Sequence, residues 1–130
     1  IAEYLAEAHV AHMVTIRSNG RPQVAPVWFL EDEGKAFVMA DANAMKVRNI
    51  RRNPAVTLSI ATDQRPLQYA VLNGNAKLFE GEIAPMFERI CVRYDGPVRG
   101  AVYAKELLAE ARMSLIEIQL TRVIGWKDAD

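Results

Sequence analysis

The chain has 130 residues, of which 51% are hydrophobic and 25% charged, the balance of one ordinary globular domain rather than of a disordered segment. No apolar run approaches the roughly 20 residues a membrane-spanning helix needs, which argues against an integral membrane protein. Sixteen basic residues balance sixteen acidic ones, so net charge gives no reason to expect nucleic acid or a membrane surface as partner. The single Cys91 excludes an intramolecular disulfide, and no signal peptide is evident, so a cytoplasmic setting is expected. One Cys and two His without paired ligand spacing predict no metal site.

Residues 1–8 have the period of a short amphipathic helix, with Ile1, Leu5 and Ala8 on one side. From Val10 the period becomes two. Asn19-Gly20 is a strong hairpin signal, since both residues tolerate a positive φ. A second strand is expected over Gln23–Leu30 and a third over Lys35–Ala40, making a meander. Pro22 can open the second strand. Pro26 in its middle means one side lacks a ladder partner, as at a sheet edge, a barrel corner or a strand that faces a ligand. Val24, Pro26, Trp28 and Leu30 share one face, and Ala25, Val27 and Phe29 the other. Both faces are apolar, which predicts a strand covered on both sides.

Residues 43–52 predict a helix capped by Asp41 or Asn43, with Val47 and Ile50 inward and Asn53-Pro54 as its stop. Val56, Leu58 and Ile60 mark a fourth strand. Leu67–Glu80 is a long strand interrupted at Asn73-Gly74-Asn75 by a bulge or a tight hairpin. Ile83, Met86, Phe87, Ile90 and Tyr94 align on a helix that Asp95-Gly96-Pro97 ends. A further helix over 101–112 and strands over 114–120 and 123–127 complete a single domain, 1–130. The hairpin-dominated order predicts a mainly β fold, an antiparallel barrel with helices packed outside.

The segment Lys46–Arg52 carries four cations and no acid. Arg48 and Arg52 share an outer face as an i,i+4 pair, and Lys46 lies in the first helical turn. A cation there opposes the helix dipole, and a bound anion would reverse that cost, so Lys46 is the candidate phosphate ligand. The alternative is a solvated basic face. Trp28 is either a core residue or a flat ring stacked beside its strand, and Trp126 either a site residue or a C-terminal docking group. His9 and His12, three apart on a strand, point to opposite faces and make no ligand pair. Ser18, Ser59 and Ser114 lack a nucleophile-elbow context, Cys91 lies on an amphipathic helix, and no carboxylate pair stands out. A catalytic side chain is therefore not identified; a cofactor can carry the chemistry instead.

Four segments taken in order, Gly20–Phe29, Lys46–Val56, Gly74-x-Ala76 and Arg122–Trp126, resemble the pyridoxamine 5′-phosphate oxidase-like family, and in particular its small members that bind the deazaflavin F420. The resemblance spans residues 10–126. It implies a split β-barrel that forms a homodimer with two cofactor sites at the subunit interface. It implies that Val24, Ala25, Pro26, Val27 and Trp28 run along the tricyclic ring, that Met39 and Ala40 line the phosphoribityl chain, that Met45 and Lys46 meet the phosphate, and that Trp126 closes the site. The chain departs from the family where Met45 replaces a common Arg, where Ala40 lacks a nearby Ser or Thr, and where Asp41 adds a negative charge. Phosphate binding would rest on fewer groups. The resemblance implies an oxidoreductase passing hydride to a small unsaturated substrate. F420 is favoured over FMN because Arg48, Arg51 and Arg52 could meet a poly-acidic tail. Storage of a flavin or haem without turnover is the alternative, and nucleic-acid binding through residues 46–52 is disfavoured, since that helix carries no interleaved aromatics.

Overall fold

The computed structural model describes residues 1–129. Chain order runs α1 (Ala2–Leu5), β1 (Ala11–Ile16), β2 (Pro22–Val27), β3 (Phe29–Asp32), β4 (Lys35–Asp41), α2 (Met45–Arg52), β5 (Ala55–Thr62), β6 (Gln68–Phe79), α3 (Ala84–Asp95), α4 (Pro97–Glu110) and β7 (Met113–Lys127). The strands form one antiparallel sheet in the order β2-β1-β5-β6-β7-β4-β3. Its two edges, β2 and β3, are consecutive in the chain and separated by Trp28 alone. A sheet whose opposite edges are one residue apart has to curl. The result is a mainly β, seven-stranded half-barrel with flanking helices, as the hairpin pattern predicts.

Several boundaries differ from expectation. The segment Gln23–Leu30 is not one strand but two, because the chain leaves one edge at Val27 and joins the other at Phe29. The Asn73-Gly74-Asn75 signal is a bulge inside the continuous β6, where the register to β7 shifts between Asn73 and Gly74. β7 likewise runs unbroken from Met113 to Lys127 instead of forming two strands. α4 begins at Pro97 rather than residue 101, since proline suits a first helical turn and Gly96 (φ 86°) supplies the reversal from α3. The N-terminal helix is shorter than its period suggests, Ala2–Leu5.

Alternation sorts the side chains into two cores. Met13, Val27, Phe29, Leu58, Leu72 and Ile118 fill the barrel, closed by Val47 and Ile50 of α2. On the outer side, α3 and α4 cover β3, β4 and the first half of β7 through Leu30, Phe37, Phe87, Ile90 and Leu115. The outer face of β2, β1, β5, β6 and the second half of β7 carries no helix. Val24 is 57% exposed there and Pro26 is exposed, so the second strand is bare on one side, contrary to the expectation that both its faces are covered. Val24, Val14, Thr57, Asn73 and Arg122 form one row across this face, and Pro26, His12, Ser59, Val71 and Ile124 the next.

Tyr94 of α3 clasps the junction at Trp28. Its ring stacks on Trp28 (centroids 4.6 Å apart, planes 1° apart). Its hydroxyl accepts the Phe29 N–H at 3.0 Å and donates to the His9 carbonyl at 2.6 Å. Phe29 is fully buried, so its amide needs that oxygen. Tyr94→Phe is expected to keep the stacked ring but lower unfolding free energy by about 1–3 kcal/mol, the cost of a buried unpaired donor, as measured by urea denaturation.

Candidate functional site

α2 crosses the barrel with Val47 and Ile50 buried, as its spacing predicts, and with Arg48 and Arg52 exposed on the opposite side. Its first turn has no acidic residue and no side-chain cap; the N-cap residue is Ala44. Asp41, expected as a cap, turns instead to the Asn43 N–H at 2.8 Å. The amides of Met45 and Lys46 precede the first intrahelical donor, the Val47 N–H bonded to the Ala44 carbonyl at 3.1 Å, and are free to bind an anion.

The Lys46 side chain is half-buried, and among the described residues it forms no ion pair. Burial pushes its ammonium below the ordinary lysine value. A partly desolvated cation beside uncapped amides at the positive end of a helix is costly without a ligand. The donor set fits a phosphate: one ammonium, backbone N–H groups and the dipole all favour the same charge.

The other expected site residues divide. Val24 and Pro26 lie on the bare outer face, Ala25 is half-buried and Val27 faces the barrel. Pro22 and Pro26 share strand parity, so their missing N–H positions lie on the free edge of β2, where no ladder bond is lost. Trp28 packs under α3, stacked on Tyr94 with Tyr103 edge-on at 5.9 Å. Met39 points into the same helix-covered core and Ala40 into the barrel, so their side chains diverge. Met45 is 40% exposed beside Lys46. Trp126 is exposed and stacks on Tyr69 across the β6–β7 pair (centroids 5.9 Å apart). It stands four strand positions from β2, about 19 Å along the sheet at ordinary strand spacing. Along the sheet of one chain, Trp126 and β2 are therefore not neighbours.

No side chain stands out as a nucleophile. Cys91 is buried, its thiol pushed up to about 11 by burial and then by Asp95, and its Sγ lies 3.7 Å from Met39 Sδ. The basic run also splits. Arg51 turns away toward Glu80 (3.8 Å), which Arg112 binds through two nitrogens at 2.7 and 2.8 Å, holding that carboxyl below its usual range. Sequence reasoning missed Asn49. Its amide is 1% exposed and donates to Thr15 Oγ1 at 3.0 Å, while its oxygen accepts from Arg52 at 2.8 Å. At about 100° per residue it stands roughly 100° from Ile50 and 160° from Val47, off the apolar stripe, so periodicity carried no signal for its burial.

The family model described as pyridoxamine 5′-phosphate oxidase matches residues 1–127. Solved structures similar to this chain include an F420 reductase at 24% identity, with 94% of each chain covered and a TM-score of 0.75. A conserved hypothetical protein of Mycobacterium tuberculosis is similar at 20% identity, covering 97% of this chain and 81% of that one, with a TM-score of 0.80. HutZ, the haem storage protein of Vibrio cholerae, is similar at 20% identity over 97% and 91%, with a TM-score of 0.74. At these identities the likeness establishes a shared fold. No curated protein matches the chain.

Lys46→Met is expected to raise unfolding free energy near neutral pH, because burial of the ammonium opposes folding. That penalty holds while lysine is charged in both states and fades as pH rises from the lowered folded value to the ordinary 10.5. Denaturation of both proteins between pH 7 and 10.5 should show the gap closing at the alkaline end.

Proposed function

This chain belongs to the pyridoxamine 5′-phosphate oxidase family, and from that premise we propose that it is an oxidoreductase that uses a flavin-type cofactor, with the deazaflavin F420 favoured over FMN. The observation that carries the reading is Lys46, a half-buried ammonium that forms no ion pair among the described residues, at the uncapped start of α2. Lys46 and the amides of Met45 and Lys46 hold the cofactor phosphate. The free edge of β2 offers backbone groups to the polar rim of the ring, and Val24 and Pro26 offer an apolar surface beside it. The bound cofactor supplies hydride transfer to a small unsaturated substrate. The chain contributes orientation, anchoring and exclusion of water.

The bare sheet face bears on assembly. We infer that two copies pair through it, since Val24, Ile124 and Trp126 leave apolar surface on the same side. Such a pair would carry Trp126 from one copy toward the β2 edge of the other, giving two cofactor sites at the interface. The similar F420 reductase supports the cofactor preference. A second reading, storage of haem or flavin without turnover, is favoured by the similar haem storage protein and by His12, exposed in the middle of the bare face. Turnover of quinones, nitroaromatics or enones by the loaded protein would exclude storage alone.

Titration of the apoprotein with both cofactors tests the reading. Binding of F420 tighter than FMN is expected, and Lys46→Gln should weaken either cofactor about 10–100-fold by removing a charge-assisted contact. Unaltered affinity in the variant would overturn the anchor. On the bare face, Val24→Glu should convert a dimer to a folded monomer in sedimentation, and a wild-type monomer at micromolar concentration would contradict the pairing.

A further inference from the structure

Asn49 and Thr15 are buried polar side chains beside a barrel filled by apolar ones. Their hydrogen bonds run in one direction. A guanidinium only donates, so the Arg52 bond at 2.8 Å makes Asn49 Oδ1 the acceptor and turns Asn49 Nδ2 to Thr15 Oγ1 at 3.0 Å. With its oxygen accepting there, the Thr15 hydroxyl donates onward to Gln23 Oε1 at 3.1 Å. Arg52 is also held by the Ile16 carbonyl at 3.3 Å. Thr15 and Gln23 stand opposite each other in the β1–β2 ladder. The relay thus starts at a cation on α2, passes through β1 and ends on β2, and bonds arranged head to tail strengthen one another.

Hydrogen bonds add to this contact what apolar packing lacks, which is direction. Val47 and Ile50 hold α2 against the barrel, but burial of apolar surface does not fix a rotation. With eight residues, α2 is too short to be stable by itself, and it has no side-chain cap at its start. Its contact from Arg51 to Glu80, at 3.8 Å, is exposed. A rotation of roughly 20° about the helix axis, at a radius of about 6 Å, moves a side-chain tip about 2 Å. That is more than a hydrogen bond tolerates. Lys46 precedes Asn49 by three residues and so neighbours it on the helix surface. The bonds that fix Asn49 therefore fix the direction in which Lys46 leaves the helix. We propose that Asn49 is a positioning residue, which through Thr15 and Gln23 locks the rotation of α2 and so aims Lys46 relative to the β2 edge. The proposal rests on the cofactor reading above for what Lys46 holds.

The test compares the full chain with Thr15→Val, which removes the hydroxyl at nearly constant shape, and Thr15→Ser, which keeps it. The first measurement is the titration of Lys46 without any ligand, followed by NMR at its ε-carbon. Burial holds that ammonium below the ordinary 10.5. Thr15→Val should raise it toward 10.5, as the released side chain swings into water, and Thr15→Ser should leave it at the wild-type value. The second is equilibrium binding of FMN and of riboflavin, which differ by the phosphate alone. The wild-type chain should favour FMN about tenfold or more. Thr15→Val should cut that preference about tenfold with riboflavin affinity held within about twofold, and Thr15→Ser should preserve it. If Thr15→Val does not fold, Thr15→Val/Asn49→Leu carries both measurements, since replacing both partners by apolar groups leaves no buried donor unpaired between them. An unmoved Lys46 titration in the folded variant overturns the proposal. So does equal loss of FMN and riboflavin, or a serine variant that behaves like the valine one. A wild-type chain without the phosphate preference contradicts the phosphate anchor instead, and the Lys46 titration then decides the positioning alone.

Discussion

One chain segment serves as both edges of its own sheet, and the single residue between those edges is Trp28. The curl of the sheet follows from that connection. So does the uneven burial. A helix pair can cover only one side of a curled sheet, and α3 and α4 take the side next to β3, where Tyr94 also satisfies the Phe29 amide at the junction. The remaining outer face is left uncovered. α2 closes the barrel through Val47 and Ile50, which leaves its N-terminus and its arginine face available. Fold and candidate site are thus two results of the same closure.

Local patterning made most of the fold legible. Strand alternation identified the barrel-facing side of β1, β5 and β6, and the 3.6-residue period placed Val47 and Ile50 inward and Lys46 in the first turn. What escaped were features decided by distant neighbours. No local signal says that Val27 and Phe29 pair with strands at opposite ends of a sheet. Nor does the apolar outer face of β2 say whether a helix or another surface covers it; Val24 and Leu30 share strand parity, yet one is exposed and the other lies beneath α3. The destination of each arginine was also hidden, since Arg51 and Arg52 are neighbours in sequence but one meets Glu80 and the other Asn49. The resemblance carried what periodicity did not, notably the family.

The chemistry available to the chain is that of a binder and positioner. Its thiol is buried with a raised pKa, and among the described residues no three or more His, Cys, Asp or Glu gather as a metal site would require. What it concentrates is positive charge, at the start of α2 and on its arginine face. On the proposed reading the chain acts through the group it holds, so the decisive question is where a complete site is assembled. In one copy, Trp126 is four strands away from β2.

Subunit mixing addresses that question directly. Lys46→Glu and Trp126→Ala each damage a different half of the site, so either variant alone should bind cofactor poorly. Mixing them after mild dissociation should restore about a quarter of wild-type binding capacity, because half the pairs are mixed and each mixed pair holds one intact site. A mixture that binds no better than the average of its parents would contradict a site completed across two copies.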